Sequence, residues 1–163
     1  AEDVRVHEGE MRDVEEVLHR ASQAQVSEII TIGCLNQTLG AQPAFLRLLD
    51  EYEALYGCAG VHPHDARFYG PDLETELAKL MEHPKMLGWG EIGLDFHYEN
   101  SPRFQQVDAF RQQLRKAREL GKPVVIHSRK DGARIQSFEM GFEVWNPESD
   151  RFWLNLTDFV QIS

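Results

Sequence analysis

The sequence contains only two cysteines, Cys34 and Cys58, among its 163 residues. Two are too few for the disulfide framework that small secreted domains use. Each of them lies in an apolar stretch, so we expect both to be buried free thiols in a reducing compartment. A cytoplasmic localisation is the one that this cysteine content favours.

Long apolar runs are also absent. The longest run falls well short of the roughly 20 residues that a membrane-spanning helix needs. The first residues, Ala1 to Arg5, lack the charged-then-apolar order of a signal peptide. We therefore expect no association with a membrane.

Basic residues are scarce relative to acidic ones, with 17 Lys and Arg against 27 Asp and Glu and a formal net charge of -10. Non-specific binding of duplex nucleic acid requires cationic side chains, so any chemistry on nucleic acid would need metal ions. The sequence also lacks a glycine-rich phosphate loop, a nucleophile elbow and a Cys-x-x-Cys pair. The sequence therefore has none of the motifs that would indicate a nucleotide-binding fold, a serine hydrolase or a thioredoxin-like protein.

What the sequence does contain is an alternation of helical and strand patterns in a chain with 42% hydrophobic residues. Apolar residues at helical spacing predict helices, and short β-branched runs predict strands. The predicted helices cover residues 9–25, 45–55, 71–82 and 104–120, and the predicted strands cover residues 29–32, 57–61, 86–92 and 123–127. We expect the strand at 29–32 to be buried on both faces.

This alternation predicts an α/β fold, with a parallel sheet and helices packed outside it. An open doubly wound sheet and part of a (β/α)8 TIM barrel both fit the pattern. A full barrel typically needs about 250 residues, so four predicted strands favour an incomplete TIM-barrel-like sheet. The regular pattern fails beyond Asp131. We therefore divide the chain into a partial domain at 1–131 and an unassigned, aromatic-rich tail at 132–163.

Active sites of parallel α/β sheets collect at the carboxyl ends of the strands, where Glu91 and His127 end two neighbouring predicted strands. A carboxylate in an apolar strand needs a cation or strong hydrogen-bond donors nearby, and neutral imidazole is a common metal ligand. Taken singly, a structural ion pair of Glu91 and a hydrogen-bonded core His127 are reasonable alternatives. Their convergence on one rim favours a metal site.

Other polar residues near this rim carry less specific signals. His62 and His64 lie in a predicted turn, where metal ligation, phosphate contact or proton relay, and a solvated turn all stay open. Asp95 fits a carboxylate that orients a ligand histidine, and it equally fits a loop cap. Arg129 fits a phosphate contact as well as a solvated loop.

Three ordered motifs resemble those of the TatD family of metal-dependent deoxyribonucleases. The motifs are Gly60-Val61-His62-Pro63-His64-Asp65-Ala66, Gly90-Glu91-Ile92-Gly93-Leu94-Asp95-Phe96-His97-Tyr98 and Val124-Val125-Ile126-His127-Ser128-Arg129. The resemblance covers about residues 10–131. Three motifs in order are far more specific than any one alone.

The resemblance implies a TIM-barrel hydrolase of the amidohydrolase type that cleaves DNA, often as a 3′ to 5′ exonuclease on single strands or 3′ ends. It implies divalent metal ions, Mg²⁺, Mn²⁺ or Zn²⁺, with two ions in the complete family site. Glu91 and His127 would be metal ligands, and Glu91 would also be catalytic. His62 would lie beside the scissile phosphate or assist proton transfer, while Asp95 and Arg129 would support the ligands.

The chain also departs from the family pattern. The family begins with a strand that carries a His-x-His metal motif, which Val6-His7-Glu8 does not match, and its later ligand histidine and aspartate have no counterpart after Asp131. We therefore expect this polypeptide alone to be a shortened form with weak or no activity. The alternatives are a hydrolase of a small phosphodiester, amide or lactone, and a non-catalytic fragment that self-associates through an open sheet edge.

Overall fold

The computed structural model describes residues 8–34 and 42–129, and it describes side chains from residue 14 onward within these ranges. The predicted alternation of helices and strands is present. The elements in chain order are α1 (Glu8–Gln23), β1 (Ile29–Cys34), α2 (Gln42–Glu51), β2 (Leu55–Gly60), a 3₁₀ helix (Pro63–Phe68), α3 (Pro71–Leu80), β3 (Met86–Asp95), α4 (Arg103–Glu119) and β4 (Val124–Arg129). The predicted tail at 132–163 lies outside the described residues.

The strands of the described part form one parallel sheet in the order β1-β2-β3-β4. This confirms the predicted α/β fold. A doubly wound sheet reverses its strand order at a switch point, whereas a (β/α)8 barrel keeps the strands in sequence. The observed order is therefore that of the barrel type. In the same residues, no helix is both long and apolar enough to cross a membrane.

The core lies between the middle strands and the helices that pack on them. Trp89 in β3 is a fully buried member of this core. Its other buried members come mainly from β2, β3, α3 and α4 and include Leu55, Ala59, Leu73, Leu77, Leu80, Met86, Ile92, Phe110 and Ala117. Burial of each large apolar side chain stabilises the folded state by about 1.5–3 kcal/mol. This packing holds in place the strands whose carboxyl ends carry the polar site residues.

The expectation that the first strand is buried on both faces is wrong. Ile30 is 51% exposed and Ile32 is 40% exposed, while Ile29 and Thr31, which alternate with them along the strand, are partly buried. β1 pairs with β2 and lies at an edge of the described sheet, and the side chains of Ile30 and Ile32 leave one of its two faces exposed. The side chains therefore alternate between the two environments.

Cys34 corrects a second expectation. It is the last residue of β1 and is exposed, so of the two cysteines only Cys58 is a buried thiol.

The predicted helix at 45–55 is too long at its carboxyl end. α2 ends at Glu51, and Leu55 is already the first residue of β2. The ammonium of Lys85 donates to the carbonyls of Leu49, at 2.6 Å, and Tyr52, at 2.8 Å. Carbonyl groups at a helix end have no partner inside the helix, so this cation terminates α2 from outside it.

The predicted strands at 86–92 and 123–127 stop too early. β3 continues to Asp95 and β4 to Arg129, so Glu91 and His127 lie inside their strands rather than at the ends. Gly93 faces His127 in the register, and a Cβ atom on Gly93 would lie 2.0 Å from the His127 carbonyl oxygen. Because glycine has no Cβ, the two strands can pair through this position.

Candidate metal centre

Side chains from β3, β4 and the end of β2 meet at one place on the sheet. Glu91 Oε1 lies 3.0 Å from His127 Nδ1, and Glu91 Oε2 lies 3.9 Å from His62 Nε2. Among the described residues, these three offer donor atoms that all lie within 4.8 Å of one another. The partner of Glu91 is thus a pair of histidines, whereas a structural ion pair would have used lysine or arginine.

Asp95 connects this cluster to its surroundings and is fully buried. Its Oδ2 lies 3.1 Å from His127 Nε2 and 2.9 Å from His64 Nε2. Its Oδ1 accepts hydrogen bonds from the backbone N–H groups of His97 and Tyr98, both at 3.0 Å. Both arrangements that the sequence left open for Asp95, contact with a histidine and a loop cap, are present together.

The residues at this position fit a divalent cation. Without a metal, His127 Nδ1 shares a proton with Glu91; once that proton is lost, His127 donates its Nε2–H to Asp95 and Nδ1 presents a lone pair, which is the state that a metal ligand requires. A carboxylate oxygen and an imidazole nitrogen are donors that Zn²⁺ and Mn²⁺ accept, and carboxylates suit Mg²⁺. Glu91 and His127 can therefore hold a metal ion between them.

His62 has a different hydrogen-bonding state. It is the N-cap of the 3₁₀ helix, and its Nδ1 accepts the backbone N–H of His64 at 3.2 Å. A neutral ring that accepts at Nδ1 carries its proton on Nε2. Burial, followed by the nearby His127, lowers the pKa of His62 to about 4. In this arrangement His62 is a neutral N–H donor that faces Glu91.

The pKa values of the other three groups favour a negatively charged site. The hydrogen bond from His127 lowers the pKa of Glu91, although burial opposes it. Burial alone would raise the pKa of Asp95, but hydrogen bonds from Tyr98 and the surrounding groups hold it well below its usual range. For His127 burial lowers the pKa, and Glu91 and Asp95 outweigh it and raise it. Two ionised carboxylates therefore lie on either side of the His127 ring, where a positive charge between them offsets their repulsion.

Arg129 and His64 lie at the border of the cluster. Arg129 ends β4, and its guanidinium carbon is 4.6 Å from the centre of the Tyr98 ring. The His64 ring contacts the rings of His62 and Tyr98 edge to face, with centroid distances of 4.4 Å and 5.7 Å. The structure thus brings His62, Glu91, Asp95 and His127 into one cluster, in which Glu91 contacts both His62 and His127 and Asp95 contacts His127. Arg129 lies outside this cluster, over the Tyr98 ring.

Three buried polar residues close to the rim escaped the sequence analysis. Ser101, Gln106 and Gln113 are each at most 1% exposed and hydrogen-bond to backbone next to the site. For the two glutamines a sequence signal exists, because Gln106 and Gln113 occupy the same stripe of α4 as the apolar Phe110 and Ala117. Glutamine at a core-facing position indicates a specific hydrogen-bonding partner.

Comparisons with known proteins identify the family of the chain. Residues 3–143 match the family model described as TatD related DNase. The chain is 33% identical over 117 residues to the uncharacterized metal-dependent hydrolase YabD of Bacillus subtilis, which covers 72% of this chain and 45% of YabD. It is 40% identical over 124 residues to the 3′-5′ ssDNA/RNA exonuclease TatD of Edwardsiella piscicida, which covers 76% of this chain and 46% of that protein.

A solved structure is also similar. The crystal structure of YJJV, a TatD homolog from Escherichia coli K12, aligns with a TM-score of 0.64 and 30% identity, covering 72% of this chain and 45% of that one. The chain spans about half the length of the curated relatives it matches. The family match covers most of the chain and includes all three motifs that form the rim. The chain belongs to the TatD related DNase family.

Proposed function

We propose that this chain supplies part of the active site of a metal-dependent hydrolase that cleaves phosphodiester bonds in single-stranded nucleic acid from the 3′ end. The observation that carries the proposal is the pairing of Glu91 with His127 Nδ1, while the buried Asp95 holds the other ring nitrogen. The name of the Edwardsiella relative, a 3′-5′ ssDNA/RNA exonuclease, supports single-stranded DNA as the first substrate and RNA as the second.

Each residue of the cluster has a distinct task in this proposal. Glu91 and His127 bind the metal, and Asp95 keeps His127 in the Nε2–H form. A bound divalent ion supplies an activated water and offsets charge on the phosphate. His62 directs its N–H to a phosphate oxygen or to the leaving oxygen. Arg129 contacts phosphate oxygens of the strand, which gives the acidic chain a local cation for its substrate.

The direct test is hydrolysis of 5′-labelled single-stranded DNA by the metal-stripped chain after addition of Mg²⁺, Mn²⁺ or Zn²⁺. Glu91 and His127 supply two protein ligands, whereas catalytic metal sites generally use about three, so we expect weak but metal-dependent shortening from the 3′ end. RNA and small phosphodiester, amide and lactone substrates are measured in parallel. Metal-dependent cleavage of a small amide or lactone, with no cleavage of DNA or RNA, would contradict the proposed substrate.

The role of His62 as a hydrogen-bond donor is tested by His62→Asn. Asparagine can still cap the 3₁₀ helix by accepting the His64 N–H, but it lacks the imidazole. We expect hydrolysis to slow by at least about 10-fold, because a preorganised hydrogen-bond donor to a developing oxyanion contributes roughly 10²–10³-fold. The Mn²⁺ affinity should change by less than about threefold. A loss of affinity as large as that caused by removing Glu91 would instead make His62 a metal ligand.

A second candidate role is self-association through β1. This edge strand of the described sheet exposes Ile30 and Ile32, and exposed apolar edge strands pair with other chains. We expect sedimentation velocity of the 163-residue chain to show concentration-dependent association, and Ile30→Lys/Ile32→Lys to shift it to monomer. A wild-type monomer at every concentration would rule out this role.

A further inference from the structure

At the end of β2, the side chain of Gln113 in α4 makes the backbone hydrogen bonds that a neighbouring strand would otherwise make. The side-chain Oε1 of Gln113 accepts from the backbone N–H of Val61 at 2.8 Å and from Trp89 Nε1 at 3.1 Å, and its Nε2 donates to the Val61 carbonyl at 3.0 Å. β2 ends at Gly60, so Val61 lies one residue beyond the ladder. A single amide therefore binds both backbone groups of the residue that precedes His62.

A second glutamine of α4, Gln106, binds the backbone N–H and C=O groups of Asp95. Gln106 Oε1 accepts from the Asp95 backbone N–H at 2.8 Å, and its Nε2 donates to the carbonyls of Asp95 at 3.0 Å and Ser101 at 2.7 Å. Ser101 in turn donates its hydroxyl to the His64 carbonyl at 2.7 Å. The backbone of Asp95 and the 3₁₀ helix that contains His64 are thus connected through two buried side chains, Gln106 and Ser101.

Burial of these two glutamine side chains has an unfavourable free energy. Each one is at most 1% exposed, and a buried amide loses its hydration and its rotamer freedom. Leucine fills a similar volume without that cost, so a general packing role does not explain glutamine at these two positions. What leucine cannot do is bind backbone N–H and C=O groups that have no partner on a neighbouring strand.

We infer that Gln106 and Gln113 are positioning residues, which fix the backbone at the ends of β3 and β2 and so aim the side chains of Asp95 and His62. The two residues lie seven positions apart on one face of α4, two helical turns, so one rigid helix sets both strand ends. Asp95 holds His127, and His62 follows Val61 directly. The consequence for hydrolysis rests on the proposed function, whereas the effect on the histidine rings does not.

The test compares Gln106→Leu and Gln113→Leu in the full chain with two controls. Gln112→Leu removes an amide from the same helix that donates to Asp108 and not to strand backbone. Leu77→Ala in α3 removes a fully buried core side chain and controls for lost stability alone. The readouts are the ¹⁵N resonances of the His62 and His127 rings, the Zn²⁺ affinity from calorimetry, and the hydrolysis rate with Mn²⁺.

We expect Gln113→Leu to shift the ring resonances of His62 and to leave Zn²⁺ affinity within about threefold. Gln106→Leu should shift the His127 ring and weaken Zn²⁺ binding by about 10-fold or more, because a displaced Asp95 no longer holds the ring of the ligand histidine. Both controls should keep wild-type ring resonances. Folded leucine variants with wild-type rings and wild-type Zn²⁺ affinity would overturn the inference.

Two further variants keep the test decisive if the leucine variants do not fold. Gln106→Met and Gln113→Met keep the unbranched shape of glutamine without a charge but cannot bind the backbone groups, and we expect shifts of the same rings. Unchanged rings in folded methionine variants would likewise overturn the inference. Absence of hydrolysis by the wild-type chain counts against the proposed function, while the ring resonances still decide whether the glutamines position the histidines.

Discussion

Replacing Glu91 by alanine is expected to lower the affinity for Mn²⁺ and Zn²⁺ by at least about 100-fold, because it removes the one carboxylate among the three described donors His62, Glu91 and His127. His127 would keep its hydrogen bond to Asp95 and offer a single nitrogen, which is too little to hold a metal ion. Calorimetric titration of the metal-stripped protein measures the loss directly.

Asp50→Ala is the matched control for that titration. Asp50 lies 3.0 Å from His83, so this variant also removes a carboxylate from an Asp–His pair, at an exposed position away from the rim. We expect it to bind metal as the wild type does. Equal losses in the two variants, or none in Glu91→Ala, would show that the metal binds elsewhere.

Gly93→Ala is expected to destabilise the fold by about 3 kcal/mol or more, a large part of the roughly 5–15 kcal/mol that stabilises a typical domain. The added methyl group would lie 2.0 Å from the His127 carbonyl oxygen, and the φ angle of Gly93 is +146°, a conformation that side chains rarely adopt. β3 and β4 would have to separate at the point where Glu91 and His127 meet. Urea denaturation measures the free energy of unfolding.

Gly70→Ala provides the comparison for this prediction. Gly70 precedes α3 with an extended backbone, φ −170°, and a Cβ atom there would meet no atom within 4 Å. Its free energy of unfolding should stay within about 1 kcal/mol of the wild type. Equal stability of Gly93→Ala and Gly70→Ala would mean that the close pairing of β3 with β4 is not required for folding.

The alternation of helices and strands could be predicted from the sequence because the apolar periods of the two structures differ. The order of the strands could not, since periodicity says nothing about which strand lies beside which. Burial of β1 was overestimated for the same reason, because Ile29 to Ile32 form one apolar run whether the strand is central or at an edge. Only the exposed fractions of Ile30 and Ile32 in the folded chain show that one face of β1 is uncovered.

The candidate site was partly visible in the sequence. The motifs identified His62, Glu91 and His127, yet the end of β3 was missed because Gly90 and Gly93 weaken a strand pattern. The two contacts of Asp95 required side-chain geometry. Gln106 and Gln113 were missed for a different reason, since glutamine on a helix is usually a surface residue and only burial reveals its partners.

Whether Glu91 and His127 form a metal-binding centre is tested most directly by paramagnetic line broadening by Mn²⁺ in the ¹H–¹⁵N NMR spectrum of the chain. We expect the first signals to broaden, at substoichiometric Mn²⁺, to belong to Glu91, His127 and their neighbours at the ends of β2 and β3. Broadening centred on exposed acidic residues such as Asp50, with the rim signals unaffected, would contradict this expectation.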